Sequence, residues 1–541
     1  MYGLLNNSRD KLILRLFLIT ALFLSLMTVA HSETMPLEEA WKTLTVKSYT
    51  KKAGAINAIA AHNPANTIAV LNSMAQGELY YSKKDKMLYH LKEIDDQYQF
   101  HSIFGQEVIT QERKRGFKKV KVNNKLRSLI RQKLAAIQLT NDDVSVRLGA
   151  ANALLNDPDE DSVALIRSLI ENETDSEVKA VMETALAVSA LAQNDQQQHL
   201  DAITMLQQSM NPAALNALNS YSPADPALEK AAAQAIQSIN DRKDFYAILE
   251  TIFFGLSLGS VLALAAIGLA ITFGVMGVIN MAHGELIMIG AYTTFVVQTL
   301  MPNNIGASII VAIPAAFIVA GLVGIAIERG VIRHLYGRPL ETLLATFGLS
   351  LILQQAVRTI FSPLNRTVET PEWMSGAWQI NEVLALTWNR MYIILFCIAV
   401  FMVLIAIMKK TSLGLQVRAV SQNRTMARAM GVRSDWVDAL TFGLGAGIAG
   451  IAGVGLSLLT NVGPNLGQAY IIDSFMVVVF GGVGNLWGTL VAGLSLGVAN
   501  KIIEPWAGAV LAKILVLIFI ILFIQKRPKG LFPQRGRAAV D

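Results

Sequence analysis

A few polar residues interrupt the apolar second half of this chain, and their types suit contact with a polar solute. Between residues 246 and 327 only Glu250 and Glu285 carry a charge, and Asn280 and His283 shortly precede the second of them. An ionisable residue at membrane depth is a functional candidate by default, because burying it there is expensive. A structural explanation competes: Asn280 can cap a helix, and Glu285 can complement the dipole of its first turn. Both explanations stay open.

Other polar residues extend this candidate pathway. Thr346 and Gln354 carry groups that could hydrogen-bond a neutral amide, or simply bond across helices. Asp473 lies in a short glycine-flanked segment, where the alternative is a charge at the start of a broken helix. Three glycines are expected to expose irregular backbone to a cavity, since such backbone is tolerated at membrane depth only there or inside protein. They are Gly481, Gly482 and Gly484.

The sequence contains no pattern typical of catalysis or metal binding. Cys397 is the single cysteine, which excludes a disulfide framework and a cysteine metal cluster. No G-x-x-x-x-G-K-[ST] phosphate loop occurs anywhere in the chain, so any ATP hydrolysis would belong to another protein. We therefore predict no catalytic residue, no metal and no cofactor. The net charge of +6 comes from basic clusters between apolar runs rather than from a nucleic-acid surface.

The elements that must position these residues are membrane helices. Hydrophobic residues make up 53% of the 541-residue chain, charged residues 16%, and the mean hydropathy is +0.42. A helix needs about 20 apolar residues to cross the hydrocarbon core. The fold class is predicted to be all-α, a polytopic helix bundle with eight or nine spanning or re-entrant helices. They are placed near 247–272, 280–300, 306–328, 341–360, 391–408, 437–459, 467–484, 487–503 and 508–525.

The first 32 residues are predicted to be a signal peptide, because basic residues precede an apolar stretch and small residues end at Ser32. An uncleaved anchor is the alternative, and either one would export the next segment of the chain. Residues 33–243 are predicted to form that exported domain, mostly helical because apolar residues recur at three- and four-residue spacing. A motif that begins at Asp143 returns at Asp175 and resembles the helical hairpins of HEAT proteins.

Loop charges predict the topology of the membrane domain, residues 244–528, and of the tail, residues 529–541. With the first domain outside, the loops after the third and fifth helices and the tail face the cytoplasm. All three are rich in arginine and lysine, whereas the opposite loop, residues 361–390, carries glutamates and tryptophans. This is the positive-inside pattern. We therefore expect a multi-pass inner-membrane protein with a periplasmic first domain and a cytoplasmic C-terminus.

The longest cytoplasmic loop, residues 414–435, has the composition of a segment that receives motion from another protein. Small residues at Ala427 and Ala429 would let a helix seat closely in a groove, and Gly431 would permit the turn that ends it. A solvated basic loop is the alternative explanation, and spacing alone favours neither. The arginines available to pair with a partner are Arg418, Arg424 and Arg428.

Three ordered motifs resemble the branched-chain amino acid family of ABC permeases. They are the loop with its continuation to Gly453, the segment 279–285, and the glycine-rich segment 481–488. Two further segments, 338–346 and 529–533, resemble the urea permease branch of that family. The long N-terminal extension departs from the shorter amino acid permeases, and that departure favours urea.

The resemblance implies a permease that works by alternating access and hydrolyses no ATP itself. It implies these partners: two ABC ATPase subunits on separate chains, a homologous second permease subunit, a periplasmic substrate-binding protein and the lipid bilayer. Urea fits the scarcity of charge, since it is neutral and needs only hydrogen-bonding groups. Branched-chain amino acids or short amides are the alternative solutes. A membrane-anchored scaffold or signalling protein is an alternative of another class, disfavoured by the glycine-rich broken helices. A secondary transporter is disfavoured by the lack of a buried carboxylate array.

Overall fold

The computed structural model describes residues 35–533 except 64–65, 95–96, 106–107, 112–115, 156–159 and 194–195. The predicted signal peptide and the last eight residues of the predicted tail lie outside the described residues. The chain divides into two compact units, Met1–Ile239 and Asn240–Asp541.

Helices make up most of the described part of the first unit. Asn123 and Asn211 cap two of these helices, each accepting a hydrogen bond from a backbone amide in the first turn. In chain order the helices are α1 (Leu37–Thr43), α2 (Tyr49–His62), α3 (Thr67–Gln76), α4 (Asn124–Gln138), α5 (Val144–Leu155), α6 (Glu160–Leu169), α7 (Ser176–Ala190), α8 (Gln196–Gln208) and α9 (Pro212–Ser220).

A five-stranded antiparallel sheet lies between α3 and α4 in the sequence, and the mostly helical prediction for this domain did not include it. Its order is β4-β3-β2-β1-β5. The strands have three to seven residues, which is too short to show a clear alternation of apolar and polar residues. Aromatic rings pack between them: Phe100 stacks on Phe117 at 3.8 Å between centroids. The strands are β1 (Leu79–Ser82), β2 (Leu88–Ile94), β3 (Gln97–Ser102), β4 (Val108–Gln111) and β5 (Phe117–Lys119).

The predicted repeat corresponds to two equivalent helix starts. Asp175 caps α7, with its carboxylate accepting from the amides of Glu177 and Val178 at 2.9 and 3.1 Å. Asp143 stands directly before α5 and accepts from the amide of Ser145 at 2.9 Å. The apolar faces of α5 and α7 share one core. An aspartate at the helix start, followed by a face packed on the neighbouring hairpin, is thus confirmed; the likeness to HEAT proteins stays a prediction.

The second unit has helix at each of the nine predicted positions, which confirms the all-α polytopic class. Among the described residues, six helices are long and apolar enough to cross a membrane: α10, α12, α13, α14, α17 and α19. The last two predicted helices, 487–503 and 508–525, are the two halves of α19, and a break at Gly508, with φ of 79°, separates them. The helices are α10 (Pro226–Met276, which begins in the first unit), α11 (His283–Leu300), α12 (Ile305–Gly330), α13 (Pro339–Phe361), α14 (Trp388–Lys410), α15 (Ser412–Gln422), α16 (Arg424–Ala429), α17 (Ser434–Ser457), α18 (Leu466–Gly481) and α19 (Leu486–Lys526).

Short elements complete the connections of this unit. A 3-10 helix, Ile332–Leu335, joins α12 to α13. The loop between α13 and α14 contains a second 3-10 helix, Glu372–Met374, and a hairpin of β6 (Ala377–Gln379) and β7 (Ala385–Thr387).

Glycines bring α17 into the centre of the second unit. A Cβ on Gly450 would lie 2.5 Å from the carbonyl oxygen of Ala316 on α12, and one on Gly445 would lie 2.6 Å from that of Gly268 on α10. No side chain fits at such distances, so these helices touch through their backbones. α17 is accordingly buried along almost its whole length. It forms the scaffold around which the candidate site is built.

Candidate translocation pathway and coupling segment

The start of α11 is a buried polar turn. Asn280 accepts a hydrogen bond from the amide of Ala282 at 3.0 Å, so it caps the turn that leads into α11. His283 Nε2 lies 2.9 Å from the carbonyl oxygen of Ala265. A carbonyl only accepts, so Nε2 carries the proton and Nδ1 of the neutral ring is an acceptor. The N-cap residue of α11 is Ala282 and no side chain caps the helix, so Asn280 closes the preceding turn and does not cap α11 as predicted.

A polar stripe on α13 faces this turn. Glu285 is buried, and one carboxylate oxygen, Oε1, accepts hydrogen bonds from Ser350 Oγ at 2.9 Å and Gln354 Nε2 at 2.8 Å. One turn before Ser350, Thr346 Oγ1 accepts from the amide of Met281 at 3.1 Å. Spacing of four residues puts these three side chains on one helix face. The structure thus brings the predicted residues Glu285 and Gln354 together and adds Ser350. It places the predicted Thr346 against the backbone of the turn, whereas His283 faces α10.

Three buried polar atoms in the turn have no hydrogen-bond partner among the described residues. They are Asn280 Nδ2, His283 Nδ1 and Glu285 Oε2. Buried polar groups in native proteins are nearly always paired, so each of these atoms is a candidate for a partner from outside the chain. They do not form one cluster, because His283 and Glu285 are two residues apart on α11 and their bonded partners lie on α10 and α13 respectively. Glu285 Oε2 is the candidate beside the polar stripe of α13.

Asp473 lies in a second polar site, which the sequence prediction found only in part. Lys513 of α19 approaches it at 3.2 Å and also lies 5.8 Å from the centroid of the Tyr470 ring. The side chain of Asp473 is 12% exposed and that of Lys513 50% exposed. Lys513 was missed, although a lysine inside the predicted span 508–525 was the signal that could have found it. The partner of Asp473, Lys513, lies on α19, whereas the partners of Glu285, Ser350 and Gln354, lie on α13.

The glycine-rich segment 481–488 packs against residues 531 and 532. The amides of Leu531 and Phe532 donate to the carbonyls of Phe480 and Gly481 at 2.9 and 3.2 Å. Gly482, with φ of 104°, is so close to Phe532 that a Cβ would lie 2.6 Å from its carbonyl oxygen. Gly481 and Gly482 are buried, and close packing explains them. Of the three predicted glycines, Gly484 lines a cavity.

That cavity is a groove of about 1090 Å³ beside α15. Its wall combines apolar residues of α10 and α14 with polar residues of the segment 418–423, and the residues 531–533 close one end. Lys409 and Arg418 give it a basic character. Since Gly484 contributes backbone here, the groove links the glycine-rich segment to the predicted coupling loop.

The predicted coupling loop, residues 414–435, folds into two short helices and a turn. Asn423 separates α15 from α16 and caps the latter by accepting from the amide of Met426 at 2.9 Å. Ala427 is buried, whereas Ala429 is exposed. Gly431 has φ of 88°, a conformation that side chains other than glycine rarely adopt, and open space surrounds it. The turn predicted at Gly431 is therefore present.

The three arginines of this loop have partners within the chain. Arg424 donates to Asp438 of α17 at 2.8 Å and stands 4.7 Å from the ring of Tyr336, while Arg418 donates to the carbonyl of Met408. Burial raises the pKa of the Tyr336 hydroxyl, so that ring stays neutral beside the guanidinium. Arg428 donates to Ser434 and to Asp435, the latter at 3.0 Å. These contacts join α16 to α17; pairing with another protein stays a prediction.

Comparison with known proteins decides the family. A family model described as the permease component of the branched-chain amino acid transport system matches residues 251–524. The chain belongs to this family. Members are permease subunits of ABC transporters, so the chain is a transport subunit and a multi-pass inner-membrane protein.

Relatives in the branched-chain permease family match nearly their whole length. The permease protein LivH of Salmonella typhimurium is 31% identical over 315 residues, covering 99% of that protein and 55% of this chain. BraD of Pseudomonas aeruginosa is 31% identical over 310 residues with the same coverage. Both are named as high-affinity branched-chain amino acid permeases. A probable LivH of Methanocaldococcus jannaschii is 23% identical over 283 residues, covering 88% of that protein and 50% of this chain. No solved structure matches.

Proposed function

We propose that this chain forms the pathway for urea across the inner membrane, as the permease subunit of a binding-protein-dependent ABC importer. The observation that carries the proposal is the unpaired buried carboxylate oxygen Glu285 Oε2, beside the polar side chains of Ser350 and Gln354. Urea presents amide donors and one carbonyl acceptor. Glu285 Oε2 is an acceptor for its N–H groups, and the hydroxyl and amide of α13 supply further hydrogen-bonding groups.

The surroundings of these atoms suit a neutral solute. Glu285 is held by a hydroxyl and an amide, Ser350 and Gln354, rather than by a cation. An amino acid would need partners for its carboxylate and ammonium groups, which the ends of broken helices could also supply, so polarity alone does not decide between the solutes. The predicted motifs at 338–346 and 529–533, which resemble the urea permease branch, point to the same solute.

We further propose that separate ATPase chains drive the permease through the segment 414–435. Two features support this role. The contacts of Arg424 and Arg428 attach α16 to α17, so a force on α16 reaches the central helix. Three large apolar side chains of the loop, Leu415, Met426 and Met430, are exposed and suit a hydrophobic groove on a partner. Two ABC ATPase subunits, a homologous second permease subunit and a periplasmic substrate-binding protein complete the proposed importer, which works by alternating access.

The proposed topology places the first unit in the periplasm and the segment 414–435 and the C-terminus in the cytoplasm. The basic loops supply the support. A protease site inserted near residue 86, in the turn between β1 and β2, should be cut from the periplasmic side. If the site were cut only after the inner membrane was breached, the first unit would lie in the cytoplasm and the proposed topology would be wrong.

Branched-chain amino acid import is the second candidate. The names of the relatives favour it, and so does the pair Asp473–Lys513, which offers one charge of each sign. Such a pair could exchange partners with the ammonium and carboxylate groups of an amino acid.

Uptake in a deletion strain separates the two candidates. Cells that express the chain with its proposed partners should accumulate labelled urea, and a hundredfold excess of unlabelled leucine should leave the rate unchanged. Leucine uptake without urea uptake would reject urea and favour the second candidate. The matched control is the same strain with Gly431→Leu, which should import neither solute.

A further inference from the structure

A strongly basic pocket of about 460 Å³ lies where α12 ends and α17 begins. We propose that this pocket binds the phosphate headgroup of an anionic membrane phospholipid. The inference does not depend on which solute the permease carries. The side chains that carry the argument are Arg329, Arg333, Arg428, Arg433, Asp435 and Trp436.

Positive charge in the pocket exceeds negative charge by a wide margin. Asp435 is the only acidic residue among the lining residues, and two arginines already share it: Arg428 at 3.0 Å and Arg333 at 4.0 Å. Four guanidinium groups with one carboxylate leave an excess of three charges. Guanidinium groups bind phosphate oxygens in a bidentate geometry, so a phosphate is the anion that this arrangement suits.

The guanidinium group of Arg329 forms no ion pair among the described residues. The guanidinium carbon of Arg329 lies 4.1 Å from the centroid of the Trp436 ring, which fixes the orientation of the group. Its Nη2 is buried and has no hydrogen-bond partner among the described residues. Glu328, the next residue along α12, is buried and does not line the pocket.

Apolar side chains next to the pocket favour a lipid over a soluble anion. On α12, Ile318 and Leu322 are exposed at eleven and seven residues before Arg329, which is the spacing of one helix face. On α17, Trp436 is 53% exposed and Leu440 follows one turn later. α12 and α17 pack against each other along their length. A headgroup in the pocket would thus have acyl chains running along exposed apolar faces, with a tryptophan at the interface.

Binding there would join the coupling segment to the membrane. Arg428 belongs to α16, whereas Arg329 and Arg333 belong to the end of α12 and the 3-10 helix after it. One phosphate bridging these groups would hold the three segments together. An anionic lipid would then fix the position from which α16 acts.

Native mass spectrometry of the purified, delipidated full-length chain tests the proposal. The wild-type chain should bind phosphatidylglycerol about tenfold more tightly than phosphatidylcholine, and inorganic phosphate at millimolar concentration should not displace the lipid. The variant Arg329→Gln/Arg333→Gln should lose roughly tenfold in affinity for phosphatidylglycerol alone. The matched control Arg338→Gln/Arg527→Gln removes the same charge from exposed arginines outside the pocket and should change little.

Several results would overturn the lipid site. Equal affinities of the wild-type chain for both lipids would do so, as would an equal loss in the control variant, which would show general charge attraction. Displacement by inorganic phosphate would indicate a soluble anion instead. Because Arg329 is partly buried, the single variant Arg333→Gln provides a second measurement in a chain whose thermal unfolding should match the wild type. Unchanged affinity in that variant would also contradict the proposal.

Discussion

Two buried carboxylates in the membrane unit, Glu285 and Asp473, have opposite kinds of partner. Glu285 is bound by two neutral donors and keeps one oxygen unpaired, whereas Asp473 faces a lysine at 3.2 Å. The first arrangement is complete only when another hydrogen-bonding molecule is present. The second already balances its own charge. The comparison therefore favours the Glu285 site over Asp473 as the contact for the proposed neutral solute.

The largest expected effect is on stability, from breaking the charged pair. Lys513→Leu would leave Asp473 buried without a counter-charge, which should destabilise the fold. Because the lysine side chain is half exposed, the loss should lie below the roughly 3–5 kcal/mol of a fully buried pair. The measurement is the amount of folded chain in membranes and its thermal unfolding in detergent. The double variant Asp473→Asn/Lys513→Gln is the control and should recover most of the loss. If the single variant were as stable as wild type, the pair would not be structural.

Gly431→Leu should impair transport of every solute. The expected defect is in coupling to the ATPase, and Gly431 lies outside both carboxylate sites. A leucine at φ of 88° is strained by about 1–3 kcal/mol, which should displace the turn between α16 and α17. Solute uptake and co-purification of the ATPase are the readouts. Gly330→Leu, at a glycine with open space and no positive φ, serves as the matched control. Normal uptake in Gly431→Leu would reject the coupling role of 414–435.

Glu285→Gln tests the first site with little change in shape. The amide oxygen can still accept from Ser350 and Gln354, but an N–H₂ group replaces the unpaired acceptor. Urea uptake should fall about tenfold, the size expected for losing one good hydrogen bond to the solute. Gln355→Ala, which alters an exposed neighbour on α13 without adding a charge, is the control and should leave uptake unchanged. Full activity of Glu285→Gln would place the solute elsewhere.

The smallest effect concerns a carboxylate–cation pair outside the membrane, Glu173 with Arg147. Two hydrogen bonds from Arg147, at 2.8 and 2.9 Å, lower the pKa of the Glu173 carboxyl. The stabilisation is therefore fully present above the ordinary glutamate pKa and is lost as the pH falls through the lowered pKa. Thermal unfolding of residues 35–239 should show more acid sensitivity in wild type than in Glu173→Gln. Equal pH profiles would show that the pair contributes nothing.

Sequence patterns predicted the helices of the membrane unit well because each needs an apolar run of a fixed length. In α17, Gly445 and Gly450 meet the backbones of α10 and α12, a contact that requires the absence of a side chain. The sequence patterns missed the sheet at 79–119, whose strands are too short to establish a period. The strands form there because their aromatic residues meet across the sheet.

The candidate site could be predicted only as a set of residue types. The sequence pointed to Asn280, His283 and Glu285, but Ser350 joins Glu285 through a contact between residues 65 positions apart. Likewise, the contact of Arg424 with Asp438 of α17 joins residues 14 positions apart and was not predicted; pairing of Arg424 with another protein stays a prediction. Partners of this kind depend on how helices pack, which a single sequence does not reveal.

Initial uptake rates of labelled urea and labelled leucine, measured in one deletion strain, test the central claim most directly. The strain would express wild type, Glu285→Gln or Asp473→Asn/Lys513→Gln at matched membrane levels. The proposed urea pathway predicts that wild type imports urea, that Glu285→Gln loses this activity, and that the Asp473–Lys513 double variant retains it. Leucine import that survives Glu285→Gln and disappears in the double variant would contradict it.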